Sequence, residues 1–211
     1  MIGIASLPIR HGNVPLRIAR GHFATNHSHI NYYIDITMQK TRLSEARATA
    51  KAICESFRTD TIVDTILCLD NTEVIATCLA EELTKSDFRN MNAHQTIYVI
   101  SPEFTADGRL LFRENILPMI TGKNVLLLAA SVVTGSTARA AIEAINYYGG
   151  HVSGVAAIFA SVKEVCGHPV HATFELSDLP DYASHTSSEC PLCAAKVRVD
   201  ALVNSYGYSK L

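Results

Sequence analysis

The residues with the clearest chemical potential lie in the turn Thr134-Gly135-Ser136-Thr137, between an apolar run and a helix-forming run. Backbone N–H groups at the start of a helix are unpaired donors at the positive end of its dipole, so they bind phosphate readily. Gly135 lets the backbone approach a ligand closely, and the neighbouring hydroxyl groups add donors. Ser and Thr are also common helix caps. The turn therefore predicts either a phosphate-binding loop or a simple cap.

A second polar cluster, Asp70-Asn71-Thr72-Glu73, directly follows an apolar, β-branched run. Asp70 and Glu73 have the spacing of a capping box, which predicts the start of a helix. Carboxylate oxygens are also the ligands that Mg²⁺ prefers in proteins. We expect the capping role, with metal binding as the alternative.

Cys190 and Cys193 form a C-x-x-C pair near the C-terminus. Such a pair supplies two thiolates to zinc, and a structural zinc site needs four ligands. The candidate further donors are Cys166, His168, His171, His185 and a residue of a second subunit. A reduced pair without metal, or a disulfide, is the alternative. Cys190 and Cys193 are thus candidate zinc ligands.

An alternation of strands and helices must position these residues. The predicted strands are Asn31–Ile36, Thr61–Leu69, Thr96–Ser101, Asn124–Ala129, His151–Ala160 and Val170–Leu176. The predicted helices are Thr41–Phe57, a segment from the Asp70 cluster through Glu82 or Leu83, and Ser136–Tyr148. The pattern indicates an α/β fold with a doubly wound, mostly parallel sheet. Ligands of such sheets bind at the carboxyl ends of strands, so the loops after Leu69, Ser101 and Ala129 form the candidate site.

Composition limits the class of protein. A chain of 211 residues, 48% of them hydrophobic, fits one domain with a sizeable core. A net charge of -2 argues against a broad nucleic-acid surface. No apolar run approaches the roughly 20 residues that span a bilayer, and no signal peptide is evident. Cys54, Cys68 and Cys78 fit reduced core residues. We expect a cytoplasmic protein with neither nucleic-acid nor membrane partners.

Three segments resemble the type I phosphoribosyltransferases, and the orotate-type enzymes most of all. "GHFATNHSHINYYIDI" is similar to their N-terminal segment, and "VDTILCLDNTEVIATCLAEEL" to the strand and helix around their pyrophosphate loop. "VLLLAASVVTGSTARAAIEAINYYGGHVSGVAAIF" resembles their phosphoribosyl-pyrophosphate motif. The likeness covers about residues 20–176. It implies that family's fold over 1–176, with a small N-terminal hood of about residues 1–36, an irregular C-terminal tail at 177–211, and a homodimer.

The sequence also departs from that family at three places. Ala130 and Ser131 stand where the family carries two carboxylates that hold ribose hydroxyls and assist Mg²⁺. The pyrophosphate loop, Gly-rich in the family, is here the Asp70 cluster. The lysines that neutralise pyrophosphate are missing from the middle loop, where Arg109 and Arg113 are the remaining cations and we prefer to interpret both as solvated surface charges. The resemblance therefore implies that the phosphate loop Thr134–Thr137 is the intact element.

These departures favour a protein that binds a nucleoside monophosphate or another phosphoribosyl compound but is weakly active or non-catalytic, in a binding or regulatory role. The alternative is an active, Mg²⁺-dependent phosphoribosyltransferase that transfers phosphoribose from phosphoribosyl pyrophosphate to a pyrimidine or purine base. A weaker alternative is an interaction scaffold that works through the Cys190 and Cys193 tail.

The hood contributes further candidates by resemblance, because the family's hood covers the base. His27 and His29 could contact a ligand there, although we prefer a surface position for both. Tyr32, Tyr33 and Asp35 match the family's strand and are expected to be structural.

Overall fold

The structure is a computed structural model that describes the backbone of residues 5–7 and all of residues 14–26, 28–105 and 109–211. His27, one of the two hood histidines singled out above, lies outside the described residues. None of the helices in the described ranges is long and apolar enough to cross a membrane.

The elements are named here in chain order. The strands are β1 (Ala5–Leu7), β2 (Leu16–Ala24), β3 (His29–Asp35), β4 (Thr65–Cys68), β5 (Tyr98–Ile100), β6 (Glu103–Phe104), β7 (Leu110–Leu111), β8 (Asn124–Val132), β9 (His151–Ala160), β10 (Glu164–Val165), β11 (His168–Glu175), β12 (Ser184–His185), β13 (Ala201–Asn204) and β14 (Gly207–Lys210). The helices are α1 (Thr37–Thr41), α2 (Leu43–Cys54), α3 (Glu73–Leu83), α4 (Ser136–Tyr147) and α5 (Pro191–Ala194), with 3-10 turns at Leu117–Met119 and Leu176–Asp178.

A six-stranded sheet in the order β10-β11-β9-β8-β4-β5 forms the centre of the molecule. All of its neighbouring pairs are parallel except β10 with β11. Side chains of β8 alternate between the two faces, as a strand buried on both sides requires. Leu126 and Leu128 pack with α2 and α3, whereas Val125 and Leu127 pack with α4. The predicted mostly parallel α/β fold is confirmed.

A second six-stranded sheet contains the N-terminal hood and the C-terminal tail. Its order is β12-β3-β2-β13-β14, with β1 paired to β2. After residue 176 the α/β alternation ends, as expected, and the tail consists of short elements. These elements pack back on the hood, because β12 pairs with β3 and β13 pairs with β2. The division into 1–176 and 177–211 stays a prediction.

Several predicted elements differ from the observed ones. The predicted helix Thr41–Phe57 corresponds to the shorter α2, which begins at Leu43 because Arg42 is extended and separates it from α1. The predicted strands Thr61–Leu69 and Thr96–Ser101 are shorter in the structure. The strand that starts at Asn124 is longer than predicted and ends at Val132, since β9 continues to pair with it as far as Ala160.

The buried cysteines agree with a reduced core. Cys54, Cys68 and Cys78 are buried and free, as predicted. Burial raises the pKa of the Cys54 thiol to about 11 and that of Cys68 to about 12. Both thiols therefore stay protonated and inert at neutral pH.

Candidate functional site

A cavity of about 870 Å³ lies at the carboxyl ends of β4, β5 and β8. The loops that follow these strands line one side of it, where the sequence places the candidate site. Hood residues, including Tyr32 and Tyr33, and the tail residues Asn204–Gly207 line the other side. The cavity thus lies where the two sheets face each other.

The turn Thr134–Thr137 lies on the cavity wall, at the start of α4. Gly135 has a φ of 77°, in the left-handed region that disfavours other residues, and it precedes the first helical residue. Thr134, Ser136 and Thr137 are exposed, and the Ser136 N–H donates to Thr134 Oγ1 across a long distance of 3.4 Å. The hydroxyl oxygens of Thr134 and Ser136 lie 3.0 Å apart. Gly135, and not Thr134 or Ser136, is the residue before the helix, so the cap alternative is reduced to the long contact from the Ser136 N–H to Thr134 Oγ1, and the turn lines the cavity.

Ala130 and Ser131 directly precede Val132, the last residue of β8, and both line the cavity. Ala130 is buried and its N–H donates to Asp70 Oδ2 at 3.2 Å. Ser131 is exposed. Neither side chain carries a charge, so this part of the wall has no carboxylate of its own.

The Asp70 cluster forms a left-handed turn instead of the predicted capping box. Asp70 and Asn71 have φ angles of 57° and 60°, in the left-handed region. The helix therefore begins only at Glu73, with Thr72 as the residue before it, and no side chain caps its start. Thr72 is the residue before α3, and its hydroxyl donates to Leu69 O at 2.8 Å and Leu128 O at 3.2 Å. Glu73 Oε1 accepts a hydrogen bond from Ser101 Oγ at 2.6 Å. The capping-box prediction is wrong.

Lys40, at the end of α1, is a buried residue that the sequence analysis did not single out. Its Nζ donates to Asp70 O at 2.9 Å and to Ser205 O at 2.6 Å. Burial lowers the pKa of Lys40, and the charges of Asp70 and Glu73 oppose that shift. No sequence motif marks this lysine, because its partners lie 30 and 165 residues away.

The charges on the described cavity wall are those of Lys40, Asp70 and Glu73. Burial raises the pKa of the Asp70 carboxyl, while the Ala130 N–H and the Lys40 charge oppose the shift. Two carboxyl groups and one amine therefore leave this wall without a surplus of positive charge.

Arg109 and Arg113, the predicted mobile-loop cations, do not line the cavity. The polar loop that holds them contains the β6-β7 hairpin. Arg113 is exposed and forms an ion pair with Glu103 at 2.7 Å, which lowers the pKa of Glu103. The backbone of Arg109 is hydrogen-bonded to Thr105.

The predicted zinc ligands Cys190 and Cys193 lie beside two histidines of the hood. One ligand atom each from His22, His29, Cys190 and Cys193 lies within 4.8 Å of the others. The further donors predicted from sequence, Cys166, His168, His171 and His185, do not belong to this cluster. Nearness in sequence was a poor guide, because the hood strands β2 and β3 bring in histidines that contact the two cysteines across 164 to 171 residues. His29 does not line the cavity, so a contact with a base there is not supported.

The parallel sheet, its flanking helices and the hood over the strand ends define the type I phosphoribosyltransferase fold. The solved structures with this fold include orotate phosphoribosyltransferase of Mycobacterium tuberculosis H37Rv in complex with inorganic phosphate. It is 20% identical over 71% of this chain and 81% of that chain, with a TM-score of 0.51. The same enzyme in complex with 5-phospho-alpha-D-ribosyl 1-diphosphate gives 20% identity, 70% and 82% coverage, and a TM-score of 0.52.

UMP synthase of Leishmania donovani has a TM-score of 0.56 at 18% identity, over 90% of this chain and 37% of that chain. No protein-family model matches the chain, and no curated protein matches it by sequence. The structural similarity therefore establishes a phosphoribosyltransferase-like fold, and function must be argued from the site.

Proposed function

We propose that the protein binds the phosphate of a nucleoside monophosphate or another phosphoribosyl compound through Thr134–Thr137, and that it is weakly active or non-catalytic. The observation that carries this proposal is the open turn at the start of α4, whose exposed hydroxyls border a cavity of about 870 Å³. Two solved structures with this fold hold inorganic phosphate or a phosphoribosyl diphosphate, which supports the ligand class.

The chemistry of the turn fits a phosphate group. The first-turn N–H groups of an α-helix have no partner within the helix, and the helix dipole favours an anion there. Left-handed Gly135 removes the side chain that would block close approach. A cavity of this size lies within the usual range for small-molecule sites, about 300–1,000 Å³.

The part of the cavity lined by Lys40, Asp70 and Glu73 fits a pyrophosphate group poorly. Lys40 is the basic residue on the described cavity wall, and its amine already contacts two carbonyl oxygens. Asp70 and Glu73 would repel a pyrophosphate unless a cation intervened. Ala130 and Ser131 supply no charge that could stabilise a positively charged ribose in a transition state. Loss of one aimed electrostatic contact commonly costs about 10²–10³ in rate.

An active, Mg²⁺-dependent phosphoribosyltransferase is the second candidate. Asp70 and Glu73 favour it, because their carboxyl groups line the same cavity as the phosphate turn and are oxygen ligands suited to Mg²⁺. A bound cation there would change repulsion of pyrophosphate into attraction.

The homodimer implied by the resemblance belongs to both proposals, and light scattering that gives the mass of a single chain would argue against it.

Calorimetry with uridine 5′-monophosphate, adenosine 5′-monophosphate, ribose 5-phosphate and unphosphorylated uridine tests the main proposal. We expect the phosphorylated compounds to bind and uridine to bind at least about tenfold more weakly, since the phosphate supplies the contacts. Ser136→Ala combined with Thr137→Ala should weaken binding about tenfold. Ser44→Ala, which removes an exposed hydroxyl in the first turn of α2, should leave binding unchanged. Equal binding of uridine and its monophosphate would contradict the proposal.

An assay of pyrophosphate release separates the two candidates. The protein is mixed with phosphoribosyl pyrophosphate, Mg²⁺ and a panel of pyrimidine and purine bases. Under the main proposal we expect turnover at least about 10²-fold below that of an active orotate phosphoribosyltransferase assayed in parallel. Turnover comparable with that enzyme would establish the second candidate instead.

A further inference from the structure

The cluster formed by His22, His29, Cys190 and Cys193 lies outside the phosphate turn, and its four residues do not line the cavity. We propose that these four side chains bind one zinc ion and that this ion fastens the C-terminal tail to the hood. The ligand set differs from the one suggested by sequence, which contained neither histidine.

The distances within the cluster are close to those of a tetrahedral site, two inside the expected range and two slightly shorter. Zinc bonds of about 2.3 Å to sulfur and about 2.0–2.1 Å to nitrogen place ligand atoms roughly 3.3–3.8 Å apart. His22 Nε2 lies 3.0 Å from His29 Nδ1 and 3.5 Å from Cys190 Sγ. Cys193 Sγ lies 3.7 Å from His22 Nε2 and 3.2 Å from His29 Nδ1. Two thiolates and two imidazoles are a ligand set that zinc favours in structural sites.

Hydrogen bonding alone does not account for this packing. His22 Nδ1 lies 2.9 Å from Val197 O, a contact that requires the proton on Nδ1 and leaves one lone pair on Nε2. His29 Nδ1, Cys190 Sγ and Cys193 Sγ all lie within 3.7 Å of that single Nε2 atom. One Nε2 atom makes a single such hydrogen bond, and the Cys193 thiol can bond to His29 Nδ1 instead, whereas one cation is bound by all four atoms at once. A carbonyl that orients a metal-binding histidine through its other nitrogen is typical of zinc sites.

The ion would join two parts of the chain that are far apart in sequence. His22 and His29 lie on β2 and β3 of the hood, and Cys190 and Cys193 flank the start of α5 in the tail. The same contact region holds the His22 N–H to Asp200 Oδ2 bond at 2.8 Å and the Asp200 N–H to His22 O bond at 2.7 Å. Four protein ligands leave no open position, so the site is structural and not catalytic.

The fastened tail also forms part of the cavity wall. β13 pairs with β2 next to Asp200, and the turn between β13 and β14 lines the cavity at Asn204–Gly207. Lys40 Nζ donates to Ser205 O in this turn. A zinc ion at the cluster would therefore stabilise the wall that faces the phosphate turn.

Elemental analysis of protein purified without chelators, or reloaded with Zn²⁺ and desalted, tests the site. We expect about one zinc per chain, and less than about 0.2 zinc per chain in Cys193→Ser. Cys166→Ser removes another exposed cysteine outside the cluster and should keep full zinc. Less than about half an equivalent in the wild-type protein, or full zinc in Cys193→Ser, would overturn the proposal.

Cobalt substitution supplies a second readout on the wild-type chain, independent of any variant. Tetrahedral Co²⁺ with two thiolates should give strong ligand-field bands and thiolate-to-cobalt charge transfer, and Zn²⁺ should displace both. A spectrum of hexaaqua Co²⁺, or a Cys190–Cys193 disulfide in the intact mass of the non-reduced protein, would contradict the site.

Hydrogen exchange tests whether the ion fastens the tail. Removal of zinc by a chelator should speed exchange in peptides that cover 198–211 by at least about tenfold, with little change in β8 and β9. Unchanged exchange in the tail would show that the ion does not order the tail, and it would overturn this part of the proposal.

A further arm, which rests on the proposed function, measures uridine 5′-monophosphate binding with and without zinc. We expect about three- to tenfold weaker binding without zinc, because the tail wall loosens. The two proposals can fail separately. Zinc with no binding of the monophosphate would reject the proposed function alone, and binding without any zinc would reject the metal site alone. Equal affinity in both forms would contradict the link between metal and cavity.

Discussion

The loops after β4 and β8 occupy equivalent positions at the carboxyl ends of neighbouring parallel strands, yet their side chains are used differently. After β4, the side chains of Asp70, Thr72 and Glu73 all form hydrogen bonds to other parts of the protein. After β8, the hydroxyls of Thr134, Ser136 and Thr137 are exposed beside the cavity. The sheet topology therefore determines which loops lie at the cavity. The hydrogen bonds from each loop to the rest of the protein determine whether its side chains remain available to a ligand.

Lys40→Met should have the largest effect, because Lys40 bonds to the β4 loop and to the tail. Hydrogen bonds from charged groups are worth about 1.5–3 kcal/mol, so we expect the free energy of unfolding to fall by about 3 kcal/mol. Uridine 5′-monophosphate binding should weaken at least about tenfold, since Lys40 no longer holds the β4 loop and the tail turn together at the cavity wall. Urea unfolding and calorimetry measure the two effects. Lys51→Met, at an exposed position of α2, is the matched control, and equal results for both variants would contradict the role of Lys40.

Thr72→Val tests whether the β4 loop is maintained by internal bonds. Thr72 is fully buried, and its hydroxyl donates to Leu69 O and Leu128 O. Removal of the donor should lower the free energy of unfolding by about 2 kcal/mol, because two carbonyl oxygens are left without it. In Thr77→Val, where the lost hydroxyl is exposed, the loss should stay within about 0.5 kcal/mol. A similar small loss for Thr72→Val would show that the loop does not depend on these bonds.

Gly135→Ala tests the β8 loop with a change of backbone preference. At a φ of 77°, alanine costs about 1–2 kcal/mol, and its Cβ would lie 3.0 Å from Val165 Cγ2. We expect the loop to shift and phosphate binding to weaken about tenfold. Gly149→Ala is the control, because Gly149 has the same φ of 77° but lies at the end of α4, away from the cavity. Gly149→Ala should lower the free energy of unfolding by a comparable amount and leave phosphate binding unchanged.

The sequence predicted the β8 loop better than the β4 loop, and the reason is physical. The apolar run before Val132, left-handed Gly135 and the helix that follows are encoded within a few residues of each other. The Asp70 cluster has a capping pattern that is just as local, but its outcome depends on distant partners at Ala130 and Lys40. A capping box and a left-handed turn can share the same residue types, because Asp and Asn tolerate positive φ.

The same distinction applies to the metal cluster. Cys190 and Cys193 were recognisable from their spacing, since both thiols come from one short segment. His22 became identifiable only when the hood and the tail were seen to share one sheet through β2 and β13. Pairings between strands nearly 180 residues apart leave no local pattern, and reasoning from nearness in sequence therefore selected histidines that lie outside the cluster.

Asp70→Asn makes the smallest change and separates charge from geometry in the β4 loop. Asn retains an acceptor for the Ala130 N–H and tolerates the φ of 57° at this position. Burial raises the pKa of Asp70 above 3.8, so the folded protein holds this proton to higher pH than the unfolded chain does. Folding stability of the wild type should consequently fall as pH rises through the window between 3.8 and the raised pKa.

Asp70→Asn has no carboxyl group to titrate at this position and lacks that loss of stability. The free energy of unfolding of the variant minus that of the wild type should therefore increase with pH across this window, and it should be larger at pH 7 than at pH 4. Urea midpoints at intervals from about pH 4 to 7 measure the effect. Loss of the negative charge should also tighten binding of inorganic pyrophosphate about threefold, because Coulomb repulsion beside the cavity is weakened. Asp60→Asn, at an exposed position, should change neither result. Unchanged pyrophosphate affinity in Asp70→Asn would mean that the β4 loop disfavours pyrophosphate through its shape and not through its charge.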